Sequence, residues 1–344
     1  MNFNIIVTSK CNLRCNYCYE GNEKAQKDMS INLANKTVEF IINTLNKLDD
    51  IDRRNRVVFH GGEPMLNFEL IKFIKTKLEK ELEKKYIIDY MTTINGTIIN
   101  DKIIDFIKKN NISLSISIDG MKSIHDENRV YHDGTGSYNI MKKNLYLLKE
   151  NGIIPRARMT YQSSNIDKLY ENIVDISKLG FEVCVPVADF YDTGWSDEKI
   201  ALLENQIDKI ISDKNLNDMR VSIVNKNILC RQKSDCFGGF TTITISENGD
   251  LYPCLFTLGE RKFIIGNILN GNGINQDKLQ SIFKEIANEP NECNSCNAND
   301  LCFGNQCKFL NYMVTGKYNV APSINCRLTG VELNTYKKLC KGSE

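Results

Sequence analysis

In a chain of 344 residues with 42% hydrophobic content, 44 Lys and Arg nearly cancel 43 Asp and Glu. The length can bury one large domain plus an appended smaller one, and the charge gives no global argument for binding nucleic acid or a membrane surface. No apolar run reaches spanning length and the first ten residues lack a signal-peptide pattern, so the sequence predicts a cytoplasmic protein. Eleven of the thirteen cysteines fall in clusters. In a long chain without an export signal that points to metal rather than to a disulfide framework, and such thiols predict an oxygen-poor cytoplasm.

The first strand runs into Cys11-Asn-Leu-Arg-Cys15-Asn-Tyr17-Cys18, and the next cysteine along the chain is Cys184. Three thiols at the spacing Cys-x3-Cys-x2-Cys can ligate three irons of a 4Fe-4S cube and leave the fourth open, whereas the spacing alone also suits a zinc knuckle or structural thiols. From residue 1 to 190, β-branched runs at 4–8, 56–59, 87–93, 113–118, 154–160 and 181–187 alternate with amphipathic stretches at 31–48, 67–85, 101–110, 137–151 and 166–179. Repeated βα units of this kind build a parallel α/β sheet. Six strands predict a partial (β/α)6 TIM-like barrel; an eightfold barrel or a doubly wound sheet fits the same pattern. In each, a site lies at the carboxyl ends of the strands, where the cysteine loop falls.

Cys11, Cys15 and Cys18, with an aromatic residue just before the last, resemble the signature of the radical S-adenosylmethionine (SAM) enzymes. The resemblance implies that the amino and carboxylate groups of SAM chelate the open iron, and that an electron from the cluster cleaves SAM to a 5′-deoxyadenosyl radical that takes hydrogen from substrate. Tyr17 would then lie against the adenine. Strand two ends in His60-Gly61-Gly62-Glu63-Pro64, similar to the family segment that contacts the SAM amino group; read alone, it is a Gly-Gly turn able to turn its amides to a ligand. Strand three ends in Thr93-Ile94-Asn95-Gly96-Thr97, similar to a further cofactor-binding segment. By the same resemblance Ser117, in Ser-x-Asp-Gly, and Arg129 would hold SAM, and Val185 on strand six would pass beneath the adenine. His125 and His132 read as structural or solvated, Arg156 and Arg158 as a surface ion pair or substrate contacts, and Cys184 as a small buried hydrophobe.

After a charged helix at 197–215 the composition shifts. Cys230, Cys236 and Cys254 precede Cys293-x2-Cys296-x5-Cys302-x4-Cys307 and Cys326. This resembles the SPASM domain, an auxiliary-cluster module, and implies an inner cluster on Cys230, Cys236, Cys254 and Cys307 and an outer one on Cys293, Cys296, Cys302 and Cys326. The last gap is four residues where the family usually has three, and two four-thiolate zinc sites fit the spacing equally. Asn248-Gly249 marks a hairpin that would deliver Cys254. The expected division is a core at 1–195, a helical bridge at 196–229 and the cysteine-rich domain at 230–344.

The cofactors implied are SAM and three 4Fe-4S clusters; the implied partners are a ribosomally made precursor peptide and a low-potential donor such as a ferredoxin or flavodoxin. In related sulfatase-maturing enzymes an Asp follows the hairpin cysteine and acts as base; here Leu255 stands there. The expected activity is therefore thioether crosslinking of a peptide, with carbon–carbon crosslinking or formylglycine formation as alternatives. An iron–sulfur carrier or a zinc-bound interaction module is the rival class. Opening on strand one, the sequence predicts no N-terminal winged leader-binding domain.

Overall fold

The computed structural model describes residues 1–18, 20–21, 26–82, 84–224, 236–270, 273–300 and 302–341; Cys230 lies outside them. The strands are β1 (Asn2–Thr8), β2 (Leu13–Cys15), β3 (Asn55–Gly61), β4 (Ile88–Ile94), β5 (Ser113–Ser117), β6 (Arg129–Tyr131), β7 (Arg156–Tyr161), β8 (Val183–Ala188), β9 (Arg220–Val221), β10 (Thr242–Ile245), β11 (Asp250–Tyr252) and β12 (Gly266–Asn267). Six of them, β1, β3, β4, β5, β7 and β8, lie side by side in chain order and pair in parallel, which is the predicted TIM-like partial barrel. Phe3, Ile5, Ile6, Val7 and Phe59 are buried, because a parallel strand covered on both faces must be apolar on both.

Helices α1 (Ile31–Leu48), α2 (Phe68–Leu82), α3 (Asp101–Lys109), α4 (Lys122–Asn128), α5 (Tyr138–Glu150) and α6 (Leu169–Lys178) return the chain between these strands. Their apolar stripes face the sheet: Ile71, Ile74 and Leu78 of α2 are buried at spacings of three and four. Ser30 and Asn100 cap α1 and α3 by accepting the Leu33 and Ile103 amides. The predicted start of α2 at 67 is instead a 3-10 turn, Pro64–Asn67, because Pro64 occupies its first position and the Glu63 side chain caps it.

Two features go beyond the sequence pattern. Short strands β2 and β6 form an antiparallel ribbon pairing Cys15 with Arg129. The C-terminal hairpin joins the barrel sheet itself: β10 runs parallel to β1, with Asn2 opposite Thr242 and Ile5 opposite Ile245, and β11 and β12 follow antiparallel. The join covers what would otherwise be an exposed apolar sheet edge. Gly249, at φ +92°, makes the predicted turn between β10 and β11.

Beyond the bridging helix α7 (Asp197–Ser212) lie α8 (Gln276–Asn288), α9 (Phe303–Gln306), α10 (Lys308–Thr315) and α11 (Ser323–Lys341). Helix α11 returns to α7 through Lys338–Asp208 at 2.7 Å and Arg327–Asp197 at 2.9 Å. Phe263 centres the C-terminal core, edge-on to Phe309 and Tyr312. Among the described residues no helix is long and apolar enough to cross a membrane.

Candidate functional site

A cavity of about 350 Å³ opens at the carboxyl ends of β3, β4, β5, β7 and β8. Cys11, Cys15 and Cys18 line one side, each half-buried. Their loop is tied down at many points. Gly62 N–H donates to Thr8 O at 3.0 Å and Glu63 N–H to Lys10 O at 2.8 Å. Asn12 Nδ2 donates to Thr97 Oγ1 at 2.8 Å, Asn16 Nδ2 to Asn128 Oδ1 at 2.7 Å, and His132 Nε2 stands 3.0 Å from Cys11 O. Three soft sulfur donors on one braced loop, facing an open cavity, suit an iron–sulfur cube.

Gly61, Gly62, Glu63 and Asn95 all line the cavity. The amide of Gly62 bonds Thr8 O at the end of β1, and a Cβ on Gly62 would fall 2.3 Å from Lys10 O and 2.9 Å from Cys11 Cβ. Gly61 is equally tight, its missing Cβ lying 2.4 Å from Thr8 O. These glycines let β3 pass under the loop that presents the thiols. Glu63 is buried, with Oε1 accepting Met65 N–H at 3.1 Å and Oε2 accepting Asn95 N–H at 2.7 Å. Burial pushes its carboxyl up to about 7 against the pull of those two amides. Asn95 donates from Nδ2 to Asn12 Oδ1 at 2.9 Å, carrying the brace from β4 back to the cysteine loop.

Tyr17, Ser117 and Arg129 all line the cavity. Arg129 is gripped by Asp119 through Nε to Oδ2 at 3.0 Å and Nη2 to Oδ1 at 3.1 Å. The Tyr17 hydroxyl donates to the same carboxylate, and the guanidinium lies 5.2 Å from the Tyr17 ring centre. Burial opposes the Arg129 charge, but Asp119, Tyr17 and Cys15 together outweigh that and hold the group protonated. Asp119 is the Asp of the Ser-x-Asp-Gly run just past β5, and its part in holding Arg129 does not show in the sequence.

Other residues at the cavity were not singled out by pattern: His60, Thr160, Val187, Asp189, Phe190, Tyr191 and Phe256. Burial, and then the Arg158 charge, push His60 down to about 4. Arg158 itself lines the cavity. Val185 is not among the lining residues; Val187 and Ala188, nearer the carboxyl end of β8, are. His125 is buried and 3.0 Å from Ser137 Oγ, a structural position. Leu255 and Phe256 complete the wall, brought there by the 3-10 turn that follows Cys254.

The C-terminal thiols form two groups. Cys254 feels Cys307 and Cys236, and burial with that crowding pushes its thiol up to about 12. Burial and Cys236 push Cys307 up to about 11. In the second group, burial and then Cys302, Cys326 and Cys296 push Cys293 up, and Cys326 responds likewise to burial, Cys302 and Cys296. Like charges crowded this way become thiolates only when a cation compensates them. Among the described residues no three such side chains converge on one metal-ion position.

A parallel six-strand partial barrel with three cysteines on the loop after its first strand defines the radical SAM class. The chain belongs to the radical SAM superfamily, whose family model matches residues 5–179, and an iron-sulfur cluster-binding SPASM domain matches residues 236–297. It is therefore a radical SAM enzyme that uses SAM and iron–sulfur clusters. A cysteine-type anaerobic sulfatase-maturating enzyme of Clostridium novyi is 28% identical over 333 residues, 86% of this chain and 84% of that protein. The structure of native anSMEcpe with bound AdoMet and Cp18Cys peptide superposes with TM-score 0.78 at 18% identity, covering 98% of this chain and 97% of that one. Streptococcus suis SuiB bound to precursor peptide SuiA gives TM-score 0.65 at 17% identity over 94% of this chain and 75% of that one.

Proposed function

We propose that this chain is a peptide maturase that installs thioether crosslinks between a cysteine sulfur and a carbon of a ribosomally made peptide. The observation that carries the reading is the cavity wall: Leu255 and Phe256 share a cavity with Cys11, Cys15 and Cys18, while Cys254, the next residue back, sits in a second thiol group. A substrate held between them would touch both halves of the molecule.

In this reading Cys11, Cys15 and Cys18 hold the SAM-binding cluster; Cys230, Cys236, Cys254 and Cys307 hold an inner auxiliary cluster; and Cys293, Cys296, Cys302 and Cys326 hold an outer one. The division into a core at 1–195, a bridge at 196–229 and a cysteine-rich domain at 230–344 belongs to it. When bound, the reduced cluster supplies the electron that cleaves SAM and so enables hydrogen abstraction from substrate. Arg129, oriented by Asp119, and Ser117 bind the polar end of the cofactor, and Tyr17 packs against it. Gly62 and Glu63 hold the cysteine loop in place. Val187 takes the adenine-facing position on β8 in preference to Val185. Electrons come from a ferredoxin- or flavodoxin-like donor.

Leu255, standing at the wall where the resemblance to sulfatase-maturing enzymes implies an Asp, supports crosslinking over formylglycine formation. Formylglycine formation is the second reading, favoured by the 86% of the chain that matches a sulfatase-maturating enzyme. The experiment is anaerobic incubation with SAM, reductant and Cys-containing peptides encoded near the gene, read by mass spectrometry. Loss of two hydrogens together with one alkylatable thiol is the expected result; loss of the sulfur selects formylglycine, and retention of every thiol excludes both.

A further inference from the structure

We propose that Asp189 is the residue that takes up the substrate proton when the reacting residue is oxidised, an assignment that rests on the peptide-maturase reading above. Among the described residues three carboxylates line the cavity: Glu20, Glu63 and Asp189. Glu63 is 1% exposed and braces two segments beneath the cysteine loop, whereas Asp189 is only partly buried; Glu20 stands two residues past Cys18 on the loop. The facing wall is built by Phe190, Tyr191, Leu255 and Phe256, with Phe190 edge-on to Phe256 at 6.3 Å. The hairpin side of that wall offers no proton acceptor. Asp189 does, from the first position beyond β8.

Its placement is fixed by the sheet and by two donors. Asp189 N–H bonds to Tyr161 O at 2.9 Å, extending the pairing of β7 and β8. Its Oδ1 accepts Tyr191 N–H at 3.0 Å, and its Oδ2 accepts Gln162 Nε2 at 3.1 Å. Each carboxylate oxygen has a second lone-pair direction, so a group held in this way still has capacity to accept a proton. Among the described residues, Arg14, His60, Arg129, His132 and Arg158 are the other charged or titratable side chains at the cavity besides the thiols, the tyrosines and the two other carboxylates.

The step balances. The substrate C–H bond breaks and its hydrogen atom goes to the 5′-deoxyadenosyl group released from SAM. The S–H bond breaks and its proton goes to Asp189. A C–S bond forms, and the one surplus electron goes to an oxidised iron–sulfur cluster as one-electron acceptor.

The test uses the full chain with its clusters loaded and, as probe, the Cys-containing peptide that the wild-type protein crosslinks in the experiment above. Asp189→Asn is expected to lower the moles of crosslink per mole of 5′-deoxyadenosine about 100-fold at neutral pH, the range of general base catalysis. The ratio should recover as pH rises toward about 8.5, where a free thiol ionises unaided. Asp189→Glu, which keeps the acceptor, should restore most of it, and Asp189→Ala gives the same comparison should the Asn variant fail to load iron. A wild-type ratio in both uncharged variants overturns the assignment. So does a fall matched by an equal loss of SAM affinity in equilibrium titration, which would make Asp189 a cofactor contact. If the wild-type protein cleaves SAM yet modifies no peptide, the functional reading fails and takes this assignment with it; if it modifies peptide and the ratio does not move, only the assignment fails.

Discussion

Asp119 holds Arg129 with both carboxylate oxygens, at 3.0 and 3.1 Å, and the same group receives the Tyr17 hydroxyl. Cys15 pairs with Arg129 across the ribbon, so one buried carboxylate sets the position of the cysteine loop against the end of β5. Asp119→Ala leaves a buried guanidinium without its counter-charge and should cost about 3–5 kcal/mol in denaturant unfolding. A loss under 1 kcal/mol would mean that solvent reaches the site.

Glu63 makes stability depend on pH. Its carboxyl lies at about 7 in the folded chain against 4.5 unfolded, so folding favours the protonated form. That contribution is fully present below the unfolded value and is lost as pH rises through the folded value. Relative to Glu63→Gln, the wild-type chain should lose on the order of 3 kcal/mol between pH 4.5 and 8, most of it below pH 7, at about 1.4 kcal/mol per pH unit. Paired denaturation curves across that window measure it, and parallel curves refute it.

Gly62→Ala drives a methyl group into Lys10 O and Cys11 Cβ. Backbone must move, at about 1–3 kcal/mol for overpacking. The larger effect should be on iron, since the displaced residue is Cys11: anaerobically reconstituted Gly62→Ala should hold less iron than the wild type, by colorimetric assay.

Phe256 lies edge-on to Phe190 in the cavity wall, 6.3 Å between ring centres. Phe256→Ala should raise the peptide KM about tenfold, which corresponds to about 1.4 kcal/mol, with SAM affinity unchanged. Steady-state kinetics against peptide concentration read the effect.

The three clusters of the proposed reading would amount to about twelve irons per chain, four to a cube. Cys254→Ala should reduce that to about eight while leaving the SAM-dependent change in the cluster spectrum; loss of all iron would instead make the C-terminal thiols a folding requirement.

The chain alone determined the class of this protein, because a Cys-x3-Cys-x2-Cys loop and an alternation of β-branched and amphipathic runs are local patterns, readable from neighbours in sequence. The same locality explains why Leu255, one residue past Cys254, could be noticed before any coordinates. What only the tertiary structure decided are relations between residues far apart. Thr242 beside Asn2, Asp119 between Tyr17 and Arg129, and Asp189 in one cavity with Leu255 depend on how strands register and where the hairpin docks. Glycine at position 62 reads as a turn in isolation; that its absent Cβ makes room for Lys10 and Cys11 follows only from two chain segments crossing. Sheet pairing and close packing join segments that composition and periodicity cannot connect.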